Sequence, residues 1–159
     1  MAPWNVVARR WKLNNLNKEG AGFMDSKKII EILNKIRVEE LTAIMQYSQH
    51  HYLAKGINSP VVSEIFKKLS IVEMKHAYAV AERITALGGT PTMKIDKVDV
   101  PEKLEDMIRA NCEVEKGAIE DFKGFINDVS EDPTTRRILE DILADEEEHL
   151  DELSKLLEN

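Results

Sequence analysis

The sequence predicts an all-α protein, a four-helix bundle in which one long crossover joins helices two and three. Three observations support this. Four stretches repeat apolar residues at the period of a helix, each about 25–28 residues long, or about 40 Å of helix. The first and third links are only a few residues long, which forces antiparallel neighbours. The middle link, about 13 residues, spans about 43 Å when extended, enough to run the length of the bundle and set helix three parallel to helix two. No stretch shows the alternation of a half-buried strand, and helices one and two resemble three and four in where their acids fall.

The chain opens with a segment unlike the rest. Residues 1–25 read as an N-terminal extension set apart from a bundle domain over 26–159, and hold both tryptophans. Trp4, Val7 or Ala8, and Trp11 fall on one helical face with Arg9, Arg10 and Lys12 directed elsewhere, so a short amphipathic helix is expected there. Its plainest role is docking on its own or a neighbouring subunit. Ser26 is placed to cap a first helix that runs to about Ala54, because its hydroxyl accepts a free backbone N–H. Lys55-Gly56-Ile57-Asn58-Ser59-Pro60 breaks it, and Pro60, which lacks an N–H to lose, opens the second helix. That helix runs to about Leu87 and stops at Gly88-Gly89-Thr90-Pro91. Residues 88–100 carry no long periodic pattern. Pro101-Glu102 begins a third helix ending near Asp128-Val129, and Ser130-Glu131-Asp132-Pro133 turns the chain into the fourth.

Composition narrows the function classes. With 159 residues, 43% hydrophobic and 32% charged, the chain suffices for one soluble domain with a true core. No apolar run approaches the roughly 20 residues of a membrane span, and no secretory signal is evident. The single cysteine, Cys112, has no internal partner, so a reducing, cytoplasmic setting is expected. The net charge of −7 divides into +3 over residues 1–23 and −10 over the remainder. That balance disfavours nucleic-acid binding by the body of the protein.

The chemistry concentrates in two copies of one pattern, Glu73-Met74-Lys75-His76 and Glu146-Glu147-Glu148-His149. Residues three apart share a helix face, so each copy offers a carboxylate and an imidazole to one point. Each helix also carries one glutamate on its apolar stripe, in seven-residue series. These are Leu33, Glu40, Tyr47, Ala54; Phe66, Glu73, Val80, Leu87; Ile108, Glu115, Phe122, Val129; and Leu139, Glu146, Leu153. His149 lies between Ile142 and Leu156 on its own apolar line, while His76 follows Leu69 but precedes Arg83. Seven residues is nearly two turns, so the four glutamates point where their aliphatic neighbours point, and all lie near mid-helix. Burying four unpaired carboxylates would cost several kcal/mol each, against about 5–15 kcal/mol of net stability. Two divalent cations would cancel their charge, and oxygen donors with imidazole suit iron or manganese. Glu39, Glu113 and Glu147 adjoin better-placed glutamates and read as surface charges. Tyr47 reads as a core tyrosine able to offer a hydrogen bond.

Glu40-Leu41-Thr42-Ala43-Ile44 with Gln46-Tyr47, Glu73-Met74-Lys75-His76-Ala77, Glu82-Arg83-Ile84 and Asp145-Glu146-Glu147-Glu148-His149 resemble the corresponding stretches of bacterioferritins, over about residues 26–157. One Glu from each of two helices plus Glu-x-x-His from each of the others is the ligand set of ferritin-like di-iron carboxylate proteins, whose bundle carries the same long crossover. The resemblance implies terminal ligands at Glu40 and Glu115, bridging ligands at Glu73 and Glu146, and one iron held by each of His76 and His149. Manganese is the other metal to weigh. It also implies haem b ligated by Met74 between two subunits. Bacterioferritins carry a short fifth helix after the bundle, whereas ten residues follow His149 in this sequence. The expected fold therefore has no fifth C-terminal helix. Its homo-oligomer ranges from a dimer through a dodecameric shell, like that of Dps, to a 24-subunit cage.

The implied activity is ferroxidase chemistry, oxidation of Fe(II) with oxygen or peroxide for iron storage and detoxification. A peroxide-scavenging di-iron or di-manganese enzyme, as in rubrerythrins and manganese catalases, is the alternative, although no Cys-x-x-Cys pair supplies a built-in electron donor. A Dps-like DNA-protecting shell is the third reading. Only the three net positive charges of residues 1–23 speak for it.

Overall fold

In the computed structural model, which describes residues 25–158, four helices carry the regular structure and no strand occurs among the described residues. They are α1 (Ser26–Leu53), α2 (Ser59–Ala86), α3 (Leu104–Asp128) and α4 (Pro133–Lys155), as the all-α reading requires, and no fifth helix follows α4 among the described residues. The amphipathic helix expected around Trp4 and Trp11 lies outside them.

Each helix end has a local cause. The cap of α1 is Asp25, one residue before the expected Ser26, and its carboxylate accepts the Lys27 amide at 3.1 Å. Pro60 sits in the first turn of α2, where no backbone donor is lost. Beyond α2, Gly88 has φ +86°, a conformation that a side chain disfavours. At Gly89 a Cβ would stand 2.8 Å from Ile30 Cγ2 and 2.9 Å from Ile84 Cγ2, so the chain leaves α2 pressed against α1. Asp132 caps α4 by accepting the Thr135 amide at 2.8 Å, and the same carboxylate accepts from Arg83 of α2 at 2.7 Å.

The start of α3 departs from the expectation at Pro101-Glu102. It begins at Leu104: Asp99 commits both its backbone groups to side chains of α1, the chain bends at Glu102 and Lys103, and Lys103 precedes the helix in an extended conformation. Residues 87–103 thus form the crossover, which lies along α1. The amides of Thr92, Asp96 and Asp99 donate to Asn34 Oδ1, Thr42 Oγ1 and Gln46 Oε1 at 2.8, 2.8 and 3.0 Å. Side chains of α1 thereby satisfy a stretch with no secondary structure of its own. Buried Arg37 adds a clamp, donating to the Thr92 and Ala77 carbonyls at 2.8 and 2.5 Å.

α1 packs on α2 and α3, and α4 packs on the same two, leaving α2 and α3 across a diagonal. Lys68 meets Glu152 and Arg83 meets Asp132, so α2 and α4 run antiparallel. The tight α3–α4 link makes that pair antiparallel too, and α2 and α3 are therefore parallel. The apolar interior falls into two clusters. One gathers Leu33, Ile36, Val80, Ile84, Phe122 and Leu139, and the other Tyr47, Phe66, Leu69, Met107, Ile108 and Leu153. What separates them is polar.

Candidate metal centre

Between the two apolar clusters the helices present Glu40, Glu73, Glu115, Glu146, His76 and His149, none more than 5% exposed. The seven-residue series explains this placement: Leu33, Tyr47, Phe66, Val80, Ile108, Phe122, Leu139 and Leu153, which flank the glutamates two turns away, are all buried. The donor atoms fall into two groups, Glu40, Glu73, His76 and Glu146, and Glu73, Glu115, Glu146 and His149, each spanning no more than 4.8 Å. Glu73 and Glu146 belong to both.

Their oxygens are divided between the two histidines. His76 Nδ1 lies 3.0 Å from Glu73 Oε2 and 3.1 Å from Glu146 Oε1, with Glu40 Oε2 at 3.7 Å. His149 Nδ1 lies 3.0 Å from Glu73 Oε1 and 3.3 Å from Glu146 Oε2, with Glu115 Oε2 at 4.0 Å. The two imidazoles are stacked at 6.0 Å. Glu40 Oε1, Glu73 Oε1 and His149 Nδ1 have no hydrogen-bond partner. Glu73 Oε1 and His149 Nδ1 are close yet out of line for a hydrogen bond, so they converge on shared space rather than on each other. Buried oxygen and imidazole donors without sulfur, some unpartnered, fit a pair of hard or borderline divalent cations.

Proton affinities follow from the crowding. Burial pushes the Glu40 and Glu115 carboxyls well above the usual range, and the neighbouring carboxylates Glu73 and Glu146 push further. Burial alone would lower the histidines. The close carboxylates of Glu146, Glu40 and Glu73 overcome it at His76, and those of Glu146 and Glu73, 3.3 and 3.0 Å from Nδ1, push His149 up to about 9. For Glu146, burial acts upward, but the neighbouring imidazoles of His149 and His76 hold it below the carboxylate range. Without metal, the centre neutralises itself with protons, which an incoming cation must displace.

Outer contacts orient these groups. Asp145 Oδ2 lies 3.0 Å from His76 Nε2, which leaves Nδ1 to face the centre. The spacing of Glu146 and His149 gave no hint of this role, because Asp145 reaches across to a different helix. Asp145→Ala is expected to weaken metal binding by about tenfold, the low end for such partners because the side chain is half exposed. Calorimetric titration with Mn(II) checks it, and unchanged affinity counts against the assignment. The Tyr47 hydroxyl donates to Glu115 Oε1 from the core position expected for it.

The surface reading of Glu39 needs correction. It is half buried, with Oε2 unpartnered, and lines a cavity of about 220 Å³ that reaches Glu40, Glu73, Glu115 and Glu146 between α1 and α3. Burial first, then Asp121 and Asp96, raise its carboxyl to about 7. Asp121 comes from α3 and Asp96 from the crossover laid over α1, and a helix period registers neither. Glu113 and Glu147 are exposed and pair with Lys116 and Lys123. Met74 is 39% exposed on the outer face of α2, near the level of the centre and in line with exposed Ile71 and Tyr78. Among the described residues no helix is long and apolar enough to cross a membrane.

Comparison with known proteins agrees with this architecture. Residues 30–159 match the family model of the ferritin-like domain. The bacterioferritin of Desulfovibrio desulfuricans is 36% identical over 126 residues, 77% of this chain and 70% of that protein. A mycobacterial bacterioferritin structure superposes with a TM-score of 0.78 at 31% identity, covering 85% of this chain and 86% of that one. A dodecameric, bacterioferritin-related thioferritin of Bacteroides fragilis superposes equally well, TM-score 0.78, at 28% identity over 84% and 86% of the two chains. The chain belongs to the ferritin-like family, among the bacterioferritins.

Proposed function

We propose that this protein is an iron-storage ferroxidase whose six buried side chains hold two Fe(II) ions as substrate. The observation that carries the reading is the sharing of Glu73 and Glu146 between both donor groups. Iron held there would supply electrons to dioxygen or peroxide and leave as Fe(III) for storage.

The remaining roles belong to the chain. Glu73 and Glu146 offer one oxygen to each side and fix the spacing of the pair, while Glu40 with His76 and Glu115 with His149 complete one side each. Asp145 keeps the proton of His76 on Nε2, and Tyr47 steadies Glu115. The apolar clusters on either side exclude bulk water, and the acidic cavity favours approach by cations. Oxidation of Fe(II) by metal-free protein in air should outpace the same iron in buffer and break at two ions per chain. A linear titration without a break removes the reading. Manganese in place of iron, with peroxide turnover, is the competing outcome of the same titration.

Three finer points go with it. Met74 would ligate haem b against a second copy, a reading that its exposure on α2 beside Ile71 and Tyr78 supports. A Soret band after haem supplementation that Met74→Ala also gives would end that assignment. The assembly is a homo-oligomeric shell, with the Bacteroides relative described as dodecameric; light scattering distinguishes 12 from 24 subunits or a dimer. A cytoplasmic location suits the single buried thiol of Cys112, and cell fractionation tests it.

A further inference from the structure

We infer that the crossover is latched to the bundle by an extra proton on His50, and that losing this proton frees one wall of the acidic cavity. The inference rests on a closed ring of four hydrogen bonds that the metal centre does not use. Going round it, the Asp99 amide donates to Gln46 Oε1 at 3.0 Å, and Gln46 Nε2 donates to Asn111 Oδ1 at 3.0 Å. His50 Nδ1 lies 3.0 Å from the same Asn111 Oδ1, and His50 Nε2 lies 2.8 Å from the Asp99 carbonyl. Gln46, His50 and Asn111 are buried, the last two completely.

The polarity of this ring is dictated from its backbone end. An amide N–H only donates, so the Gln46 atom facing it is the oxygen, and Gln46 turns its NH2 group to Asn111. Asn111 must then answer with its oxygen, which sends its own NH2 group away; Asn111 Nδ2 is indeed buried without a partner. Its oxygen requires a donor from His50 Nδ1. The Asp99 carbonyl only accepts, and requires a donor from His50 Nε2. An imidazole with two donors is an imidazolium.

A neutral His50 cannot close the ring. Whichever nitrogen is bare turns its lone pair on an oxygen. Flipping the Asn111 amide relieves His50 but sets two NH2 groups against each other at Gln46, and flipping Gln46 as well moves the conflict to the Asp99 amide. Every neutral arrangement therefore has one repulsive contact, among or beside side chains that are themselves buried. Against the ring the crossover sets the Asp99 carboxylate, which favours the cation, α2 sets the ring of Phe66 at 5.7 Å, and α3 sets Asn111. Burial opposes the charge and outweighs the bonds to Asp99 and Asn111, lowering His50 from its usual range, so the extra proton is held in acid and released before neutrality.

Release has a defined place to act. Asp96, three residues before Asp99, and Gln46 both line the cavity that leads to the four glutamates. When the ring opens, the crossover keeps its Asp96–Thr42 bond but loses its fastening at Asp99. The mouth of the cavity widens there.

Hydrogen–deuterium exchange of the intact protein, read by mass spectrometry between pH 5 and 9 and corrected for intrinsic rates, tests this on peptides covering 92–103. Protection is expected to fall by tenfold or more as pH rises, through a one-proton transition, with α2 peptides unchanged. Asn111→Asp sets a carboxylate against the imidazolium and should move that transition up by one pH unit or more. Neutron diffraction below the transition should find hydrogen on both His50 nitrogens, a result that needs no variant. A neutral His50 in that map, protection that does not vary with pH, or a transition that a folded Asn111→Asp leaves in place would each overturn the inference.

Discussion

Glu73→Ala is expected to slow the oxidation of Fe(II) by at least about a hundredfold and to abolish the break at two ions per chain. Removing a residue that merely orients a metal ligand costs about 10–100-fold. Glu73 stands closer than that to both sides, placing one oxygen 3.0 Å from His76 Nδ1 and the other 3.0 Å from His149 Nδ1. Its loss removes a donor from each group at once. Glu40→Ala removes a donor from one group only and should leave the other able to bind, so a titration of that variant should break nearer one ion per chain. Stopped-flow absorbance on matched samples measures both, with circular dichroism confirming that the helices persist. Equal rates for Glu73→Ala and the parent protein would remove the ferroxidase proposal, whatever the titration showed.

Metal-free protein should lose stability as pH rises from about 6.5 to about 9, and saturating Mn(II) should abolish that loss. The sign follows from where protons are held. His149 titrates near 6.5 when unfolded and at about 9 when folded, so the folded state binds more protons across that window. A shift of that size corresponds to about 3 kcal/mol, fully present below 6.5 and lost by 9. The side chain is only 6% exposed, so solvent screening takes little from this. Raised Glu40 and Glu115 act in the same direction, from the ordinary carboxylate range upward. Glu146 is the opposite case: held below its ordinary range, it contributes above that range and fails as acid protonates it. The metal-free optimum therefore lies between, on the mildly acidic side of neutrality. Two ions at a hundredfold excess over their dissociation constants would add about 5 kcal/mol, which for a domain of this size raises Tm by about 10 °C or more. Differential scanning calorimetry at several pH values decides the matter. A metal-free Tm that stays level or climbs between pH 6.5 and 9 contradicts the proton accounting.

What could be read from the sequence was whatever local chemistry dictates. Pro60, Pro133 and Gly88 mark helix ends because proline lacks a donor and glycine tolerates positive φ, and the helices stop or start within a residue or so of them. The inward facing of Glu40, Glu73, Glu115 and Glu146 follows from their seven-residue spacing to Leu33, Phe66, Ile108 and Leu139, a periodicity that survives in the bundle. Features made by distant residues were not legible. Leu104 rather than Pro101 opens α3 because Asp99 is tied to Gln46 and His50, some fifty positions earlier. Glu39 lines the cavity beside Asp96 and Asp121, on two other segments, and their charge adds to burial in raising its carboxyl. Asp145 acts on His76 across a helix interface, and no spacing within α4 encodes that. Asp25 outcompeted Ser26 as the cap because either oxygen can serve, and one-residue differences of this kind lie below what a pattern can fix.

The division of oxygens at Glu73 and Glu146 restricts how such a protein can change. A substitution at either position takes an oxygen from both donor groups, whereas one at Glu40, His76, Glu115 or His149 takes a donor from one. Descendants with a single working half are thus reached only through the outer four positions. The inner two are inherited together or surrendered together, and the preferences of one half cannot be retuned through them without disturbing its twin.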